Sequence, residues 1–323
     1  MDYVILLRSL MLVVALVISG IVFADRDGAE TLYRGKSARQ WADELAAPDL
    51  RARWDAAYAL GQIGPGASVA VPALERVLED RAEHEYVRGS AAWALGRMGP
   101  KAVPAVPALT RGLASALVSV RRNAAGALGS MGPDARPASS GLLNLLDDED
   151  ASVRISAAVA LWKIERHARA LPMLESMLRG RDGSNACRAA AALGELAGAP
   201  AVPALVAALK HPDEDTRRAA ARSLAQTGPA AIPVVRAVLA GGDEVAMRQA
   251  VEALGWIGPP AIPALIEALA DNDALVRRTA ARALGRLGPA ARQAAPALLR
   301  AVSDPKPEVR DTAAEALRQI RGS

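Results

Sequence analysis

Cysteine, phenylalanine and histidine are nearly missing from this sequence. One cysteine, Cys187, one phenylalanine, Phe23, and three histidines stand among 323 residues. A lone cysteine excludes an intramolecular disulfide framework. Cys187 lies in the Ala-rich run CRAAAALG, where a small packing side chain is wanted and no nearby His lowers its pKa, so a reactive thiol is disfavoured. His84, His167 and His211 lie in different parts of the chain, and none has a second His or Cys at metal-ligand spacing. A zinc or iron site is therefore unsupported, no cofactor is expected, and the three read as solvated loop or helix-end residues. Aromatic residues make up 3% of the chain. Its interior must then be built from Ala, Leu and Val on closely packed helices, an all-α composition.

A surplus of one charge sign is also missing. The formal net charge is +4, and acids and bases alternate in the loops, as in Asp147–Asp150 and His211–Asp215. A nucleic-acid reader gathers its cations on one face, so no nucleic-acid partner is expected. Long apolar runs are missing except at the start, where Leu10–Ile18 is uninterrupted and Phe23-Ala24 precede the charged Asp25-Arg26-Asp27. Residues 1–24 read as a bacterial-type export signal, with Val22 and Ala24 placed to suit signal peptidase. The alternative is an uncleaved anchor over residues 4–24, with Arg8 near its cytoplasmic end. Either way the body is expected outside the cytoplasm, periplasmic or membrane-anchored, with contact to a membrane only through this segment. Residues 25–36 read as a short exposed tether.

What the chain has is one phrase, repeated. VRRTAARALGRLGP at Val276–Pro289 returns as VRGSAAWALGRMGP from Val87 and VRRNAAGALGSMGP from Val120. A leucine marks each copy at positions 60, 95, 128, 161, 193, 224, 254, 284 and 317. A period of 30 to 35 residues means stacked supersecondary units, each packing only on its neighbours. The first helix of each unit carries small residues at one-turn spacing and usually a Gly after the landmark Leu, which lets neighbouring helices approach. It ends in Gly-Pro, because Gly accepts the left-handed turn and Pro cannot continue a helix. A second helix follows, often with Pro in its first turn. Before the first unit, Ser37 and Gln40 form a capping box, and Trp41 and Leu45 close the open end of the stack.

These phrases resemble HEAT repeats, of the short kind named after phycobilisome lyases, over roughly residues 37–321. The resemblance implies an α-solenoid over residues 37–323, a right-handed superhelix of about eight to nine hairpins with second helices lining the concave side, where partners dock. Two enzyme families share the repeat. Deoxyhypusine hydroxylase holds two irons with several His-Glu pairs, whereas only His84-Glu85 exists here, in a loop. Phycobilin lyases act on pigment-binding partners as soluble proteins, which fits an export signal poorly. The expected function is a non-catalytic scaffold or adaptor binding another protein, with an enzyme related to those lyases or hydroxylases as the alternative.

Candidate contact residues follow from register. The two positions after the first stripe residue of each second helix should face the concave side, which selects Arg76, Arg111, Asn144, Glu175, Arg236, Glu267 and Arg300. Trp256 joins them, since its counterparts in other units are all polar, whereas Trp41, Trp54 and Trp93 fall on packing faces. An Arg also recurs seven residues before the landmark Leu, as Arg53, Arg88, Arg121, Arg154, Arg217, Arg277 and Arg310, with Ala186 and Met247 as exceptions. These read as a structural ladder facing the acids that precede them, Asp80, Asp150, Asp215, Asp273 and Glu308. The fourth unit carries Trp162 where Gly is usual and lacks Gly-Pro, so a compressed turn and a local change in curvature are expected around Trp162–Leu171.

Overall fold

The computed structural model describes residues 23–24, 31–196, 198–241 and 243–322. The apolar start of the chain, all but Phe23 and Ala24, lies outside the described residues, and with it the choice between cleavage and anchoring. Among the described residues no helix is long and apolar enough to cross a membrane. Strand β1 (Phe23–Ala24) pairs antiparallel with β2 (Thr31–Leu32), and a cap helix α1 (Ala38–Glu44) follows. Its capping box forms as the spacing requires, the Ser37 N–H donating to Gln40 Oε1 at 2.8 Å and the Gln40 N–H to Ser37 Oγ at 3.4 Å. Trp41 and Leu45 are buried. The stretch read as an exposed tether is not wholly exposed. Tyr33 is buried, its carbonyl accepts from Trp41 Nε1 at 3.0 Å, and the Lys36 ammonium sits 4.5 Å from the Trp41 ring.

The rest of the chain falls into two compact units, the first ending at Ala170 and the second starting at Leu171. In the first, the first helices are α2 (Leu50–Ile63), α4 (Glu85–Met98), α6 (Val118–Met131) and α8 (Ala151–Glu165), and the second helices are α3 (Val71–Glu79), α5 (Val106–Gly112) and α7 (Ser139–Asn144). Helix α9 (Ala170–Leu178) carries the boundary. In the second unit, α10 (Gly183–Leu196), α12 (Glu214–Gln226), α14 (Glu244–Ile257), α16 (Ala274–Arg286) and α18 (Pro307–Arg321) are first helices. Their second helices are α11 (Val202–Ala208), α13 (Ile232–Leu239), α15 (Ile262–Ala268) and α17 (Ala295–Ala301). Within each unit every first helix packs on the next first helix, so each unit is an all-α stack of hairpins.

All nine landmark leucines are buried. The glycine after the landmark marks the closest approach: a Cβ on Gly96 would lie 2.9 Å from Ala127 Cα, and one on Gly129 the same distance from Ala160 Cα. First helices end at Gly64, Gly99, Gly132, Gly228, Gly258 and Gly288, with φ between 57° and 92°, a region that side chains with a Cβ rarely enter. What the periodicity did not reveal is the segment that follows. Gly64–Ala70, Gly99–Ala105, Gly132–Ala138 and Gly288–Ala294 are seven-residue 3₁₀ segments, while Gly228–Ala231 has four residues. The difference is three residues, one 3₁₀ turn.

The fourth hairpin has no such segment. α8 runs for 15 residues and is stopped by Arg166 in the left-handed region, φ 53° and ψ 39°. Trp162 is half-buried, with the Arg166 guanidinium 4.9 Å from its ring. The boundary between the two units falls in this stretch, just after the compressed turn.

Candidate interaction surface

The recurring arginine makes the same hydrogen bonds in hairpin after hairpin. Arg53, Arg121, Arg154, Arg217, Arg277 and Arg310 each direct Nη1 to the backbone carbonyls six and five residues earlier, at 2.6 to 3.1 Å. Arg121, for example, donates to Ser115 O at 2.9 Å and to Ala116 O at 3.1 Å. Loop carbonyls left open by the preceding second helix are thereby satisfied. Arg53, Arg121 and Arg277 also grip a carboxylate of the next hairpin in bidentate fashion. Arg121 donates from Nε and Nη2 to Asp148 at 2.7 and 3.0 Å, Arg277 to Asp304 at 2.7 and 2.9 Å, and Arg53 to Glu83 at 2.6 and 2.9 Å. The Arg277 guanidinium holds the Asp304 carboxyl below the usual carboxylate range, and Arg53 does the same for Glu83.

The facing acids are therefore not those expected. Asp150 and Asp273 cap helices α8 and α16 with their carboxylates, Asp80 accepts from the Ala82 N–H at 2.9 Å, and Asp215 lies 3.7 Å from Arg218 on its own helix. Glu308 sits in the first turn of α18. A carboxylate at or just before a helix start is claimed by the free N–H groups of the first turn. The acids that reach Arg121 and Arg277, Asp148 and Asp304, stand two residues before the cap, and Glu83, which reaches Arg53, stands one before it. Asp148 and Asp304 also accept the N–H of the residue two ahead, at 2.9 Å from Asp150 and 2.8 Å from Lys306.

His211 occupies this same position, and it corrects the reading of the histidines as solvated. It is buried, with Nδ1 accepting the Asp213 N–H at 3.1 Å and Nε2 3.0 Å from Gly180 O. His84 and His167 make the same local turn with Tyr86 and Arg169, at 3.3 and 3.2 Å. Cys187 is half-buried, and its thiol is pushed up by burial and by Asp215 and Asp213, which disfavours the thiolate. Among the described residues no group of three or more His, Cys, Asp or Glu is placed to hold a metal ion.

On the second helices Arg76, Arg111, Asn144, Arg236, Glu267 and Arg300 are exposed and Glu175 is half-buried. The structure brings two of them together: Arg236 Nη2 donates to both Glu267 oxygens, at 2.6 and 2.8 Å, across α13 and α15. Arg111 pairs instead with Glu79 of α3. Arg76 reaches back to Pro72 O at 3.4 Å and Glu175 lies 3.8 Å from Arg179. Burial, with Glu79 adding to it, raises the neighbouring Glu75 carboxyl. The first helices carry a second exposed set. Trp256 is exposed, with Arg222 5.6 Å from its ring. Trp54, expected to pack inside, is 38% exposed. It stacks on Tyr58 at 5.8 Å, and Tyr58 stacks on the half-buried Trp93 at 5.4 Å. The Trp93 ring lies over Gly61, whose missing side chain makes room for it. Tyr58 and the exposed Tyr86 nearby were not singled out by the sequence, because a single aromatic at a helical position carries no periodic signal.

Stacked helical hairpins with a uniform interior and an irregular charged exterior define a helical-repeat protein. The sequence profile of HEAT repeats matches residues 38–129, 78–161, 106–193, 177–255, 202–274 and 262–323. The chain belongs to the HEAT-repeat family. No curated protein matches it. Among solved structures it is similar to an engineered protein from the Northeast Structural Genomics Consortium, with 24% identity over 88% of each chain and a TM-score of 0.38.

Proposed function

We propose that the chain is a non-catalytic scaffold or adaptor that binds another protein through the exposed residues of its second helices. One contrast carries this reading. The positions that pack, the landmark leucines and the small residues around them, are nearly invariant from hairpin to hairpin, whereas the exposed positions run Arg76, Arg111, Asn144, Ser176, Ala207, Arg236, Glu267 and Arg300. A mixed lining of this kind suits a polypeptide, whereas a phosphate backbone would call for a continuous cationic stripe. The right-handed superhelix with concave second helices, implied by the resemblance, belongs to this proposal. So does export by residues 1–24, with the body outside the cytoplasm, as a cleaved signal or as an anchor over residues 4–24.

The test is affinity capture from an envelope fraction with the full chain, beside a variant carrying alanine at Arg76, Arg111, Arg236 and Glu267. A protein retained by the parent and lost by the variant supports the reading; equal retention by both refutes the surface. Stoichiometric iron in the purified protein would overturn the scaffold reading in favour of the hydroxylase-like alternative.

A further inference from the structure

Arg88 is the member of the arginine series that lacks the loop carbonyls; like Arg154, Arg217 and Arg310 it also grips no carboxylate among the described residues. In Arg53, Arg121 and Arg277, Nη1 is held by two loop carbonyls, while Nε and Nη2 hold a carboxylate of the next hairpin. Arg88 has neither. Helix α3 runs for nine residues where α5 runs for seven, and this lengthening moves the loop carbonyls away, so that Arg88 donates from Nε to Leu78 O at 3.1 Å instead. At the position of Asp148 and Asp304, thirteen residues before the next landmark leucine, the sequence has Ser115. Among the described residues Nη1 and Nη2 of Arg88 have no hydrogen-bond partner.

Beside Arg88 lies a cleft of about 820 Å³ between neighbouring hairpins, lined by Arg81, Arg88, Arg111, Glu85 and Ser115 among others, against about 420 Å³ at the corresponding place beside Arg53. The larger cleft is lined by three arginines, Arg81, Arg88 and Arg111, and three glutamates, Glu79, Glu83 and Glu85. Glu79 is taken by Arg111 and Glu83 by Arg53, so that Arg81 and Arg88 remain against the exposed Glu85. Ser115 already makes the local turn of its acidic counterparts, its Oγ accepting the Leu117 N–H at 3.2 Å. With Nε held by Leu78 O, the Nη1 and Nη2 edge of Arg88 is the one that can take a carboxylate from two donors.

We propose that this cleft binds a carboxylate supplied by another molecule, in the place that Asp148 and Asp304 fill from within the chain. The cleft shares Arg111 with the second-helix surface, but the inference turns on Arg88 and Ser115, which that surface does not include, and does not depend on the scaffold reading. Calorimetric titration of the full chain at low ionic strength tests it with three probes, glutarate, a short glutamate-containing peptide and inorganic phosphate. At least one carboxylate probe is expected to bind, and Arg88→Gln and Ser115→Asp are each expected to weaken it roughly ten- to hundredfold. Ser115→Asp acts by supplying the carboxylate internally, so its unfolding midpoint should be no lower than the parent's, which separates occupation of the cleft from misfolding. Binding of the peptide alone identifies an acidic segment of a polypeptide as the source; binding of glutarate as well identifies a free carboxylate. Phosphate binding as tightly, no carboxylate probe binding, or binding that survives either substitution would overturn the proposal.

Discussion

Two glycines of helix α6 carry the clearest test of how the hairpins are held together. Gly126 and Gly129 lie one turn apart in the same helix, yet a Cβ on Gly126 would meet nothing within 4 Å, while one on Gly129 would stand 2.9 Å from Ala160 Cα and 3.1 Å from its Cβ. Alanine at either position gains helix propensity, about 0.5–1 kcal/mol relative to glycine. At Gly126 nothing opposes this gain, and the substitution should stabilise by that amount. At Gly129 the intruding carbon meets backbone, which cannot rotate away, so α6 and α8 must separate. Overpacking of this kind costs about 1–3 kcal/mol, leaving a net loss of up to about 2.5 kcal/mol once the propensity gain of about 0.5–1 kcal/mol is subtracted. The assay is urea unfolding of the full chain followed by helical circular dichroism. The midpoint should rise for Gly126→Ala and fall for Gly129→Ala. If both variants shift the same way, close helix approach does not govern the stacking and the packing argument fails.

Three further outcomes follow from other sites. Gly61→Ala would set a Cβ 2.2 Å from the Trp93 ring, so the ring must leave its stack on Tyr58. A changed near-ultraviolet circular dichroism signal and a loss of about 1–3 kcal/mol are expected, and an unaltered aromatic spectrum would refute it. Gly132→Ala meets no neighbour within 4 Å but must hold φ near 68°, so it should cost about 1–3 kcal/mol through backbone strain alone, measured by the same melt. The Asp304 carboxyl, held low by the hydrogen bonds from Arg277, binds protons more readily in the unfolded chain than in the folded one. Its contribution is therefore present above the ordinary carboxylate range and lost as pH falls through the folded value. Unfolding midpoints measured against pH should show this acid loss in the parent and a shallower one in Asp304→Asn, which should also be less stable at neutral pH by about 1–3 kcal/mol.

The interior was legible because it repeats. A leucine that returns every 30 to 35 residues announces its burial in any one copy, and the Gly-Pro pairs announce the helix ends because few other residues can occupy them. Tertiary pairing was less legible. The sequence puts Asp150 and Asp273 nearer to the arginines than Asp148 and Asp304, yet proximity along the chain is what hands the former to the helix N-termini. The choice between two acids two residues apart depends on which already has an N–H to accept from. Trp54 was misplaced for a related reason: a helix face that packs against a neighbour farther along can lie open at the first hairpin, where α1 is short. The exposed candidates came from register alone, and register says which side chains are exposed without saying that Arg236 and Glu267 would satisfy each other.

The variable repeat length has a physical account that bears on how such a surface can diversify. Landmark leucines are 33 residues apart from Leu95 to Leu128 and 30 apart from Leu254 to Leu284. The former interval contains a seven-residue 3₁₀ segment, Gly99–Ala105, and the latter the short segment Pro259–Ala261 behind Gly258. Because a 3₁₀ helix completes one turn in about three residues, inserting three residues there adds a turn and returns the chain to the same azimuth. The second helix then resumes with its apolar stripe still directed at the first, as Leu109 and Leu265, both fully buried, show within their own units. An insertion of two residues has no such neutral place. The long second helix α3 shows the consequence: the loop carbonyls are carried out of reach of Arg88, and the cleft beside it, about 820 Å³, is roughly twice the one of about 420 Å³ at the corresponding place beside Arg53. Length changes of one 3₁₀ turn preserve the stack, and in the 35-residue interval from Leu60 to Leu95, two residues longer than the one that follows, Arg88 is left without its loop carbonyls.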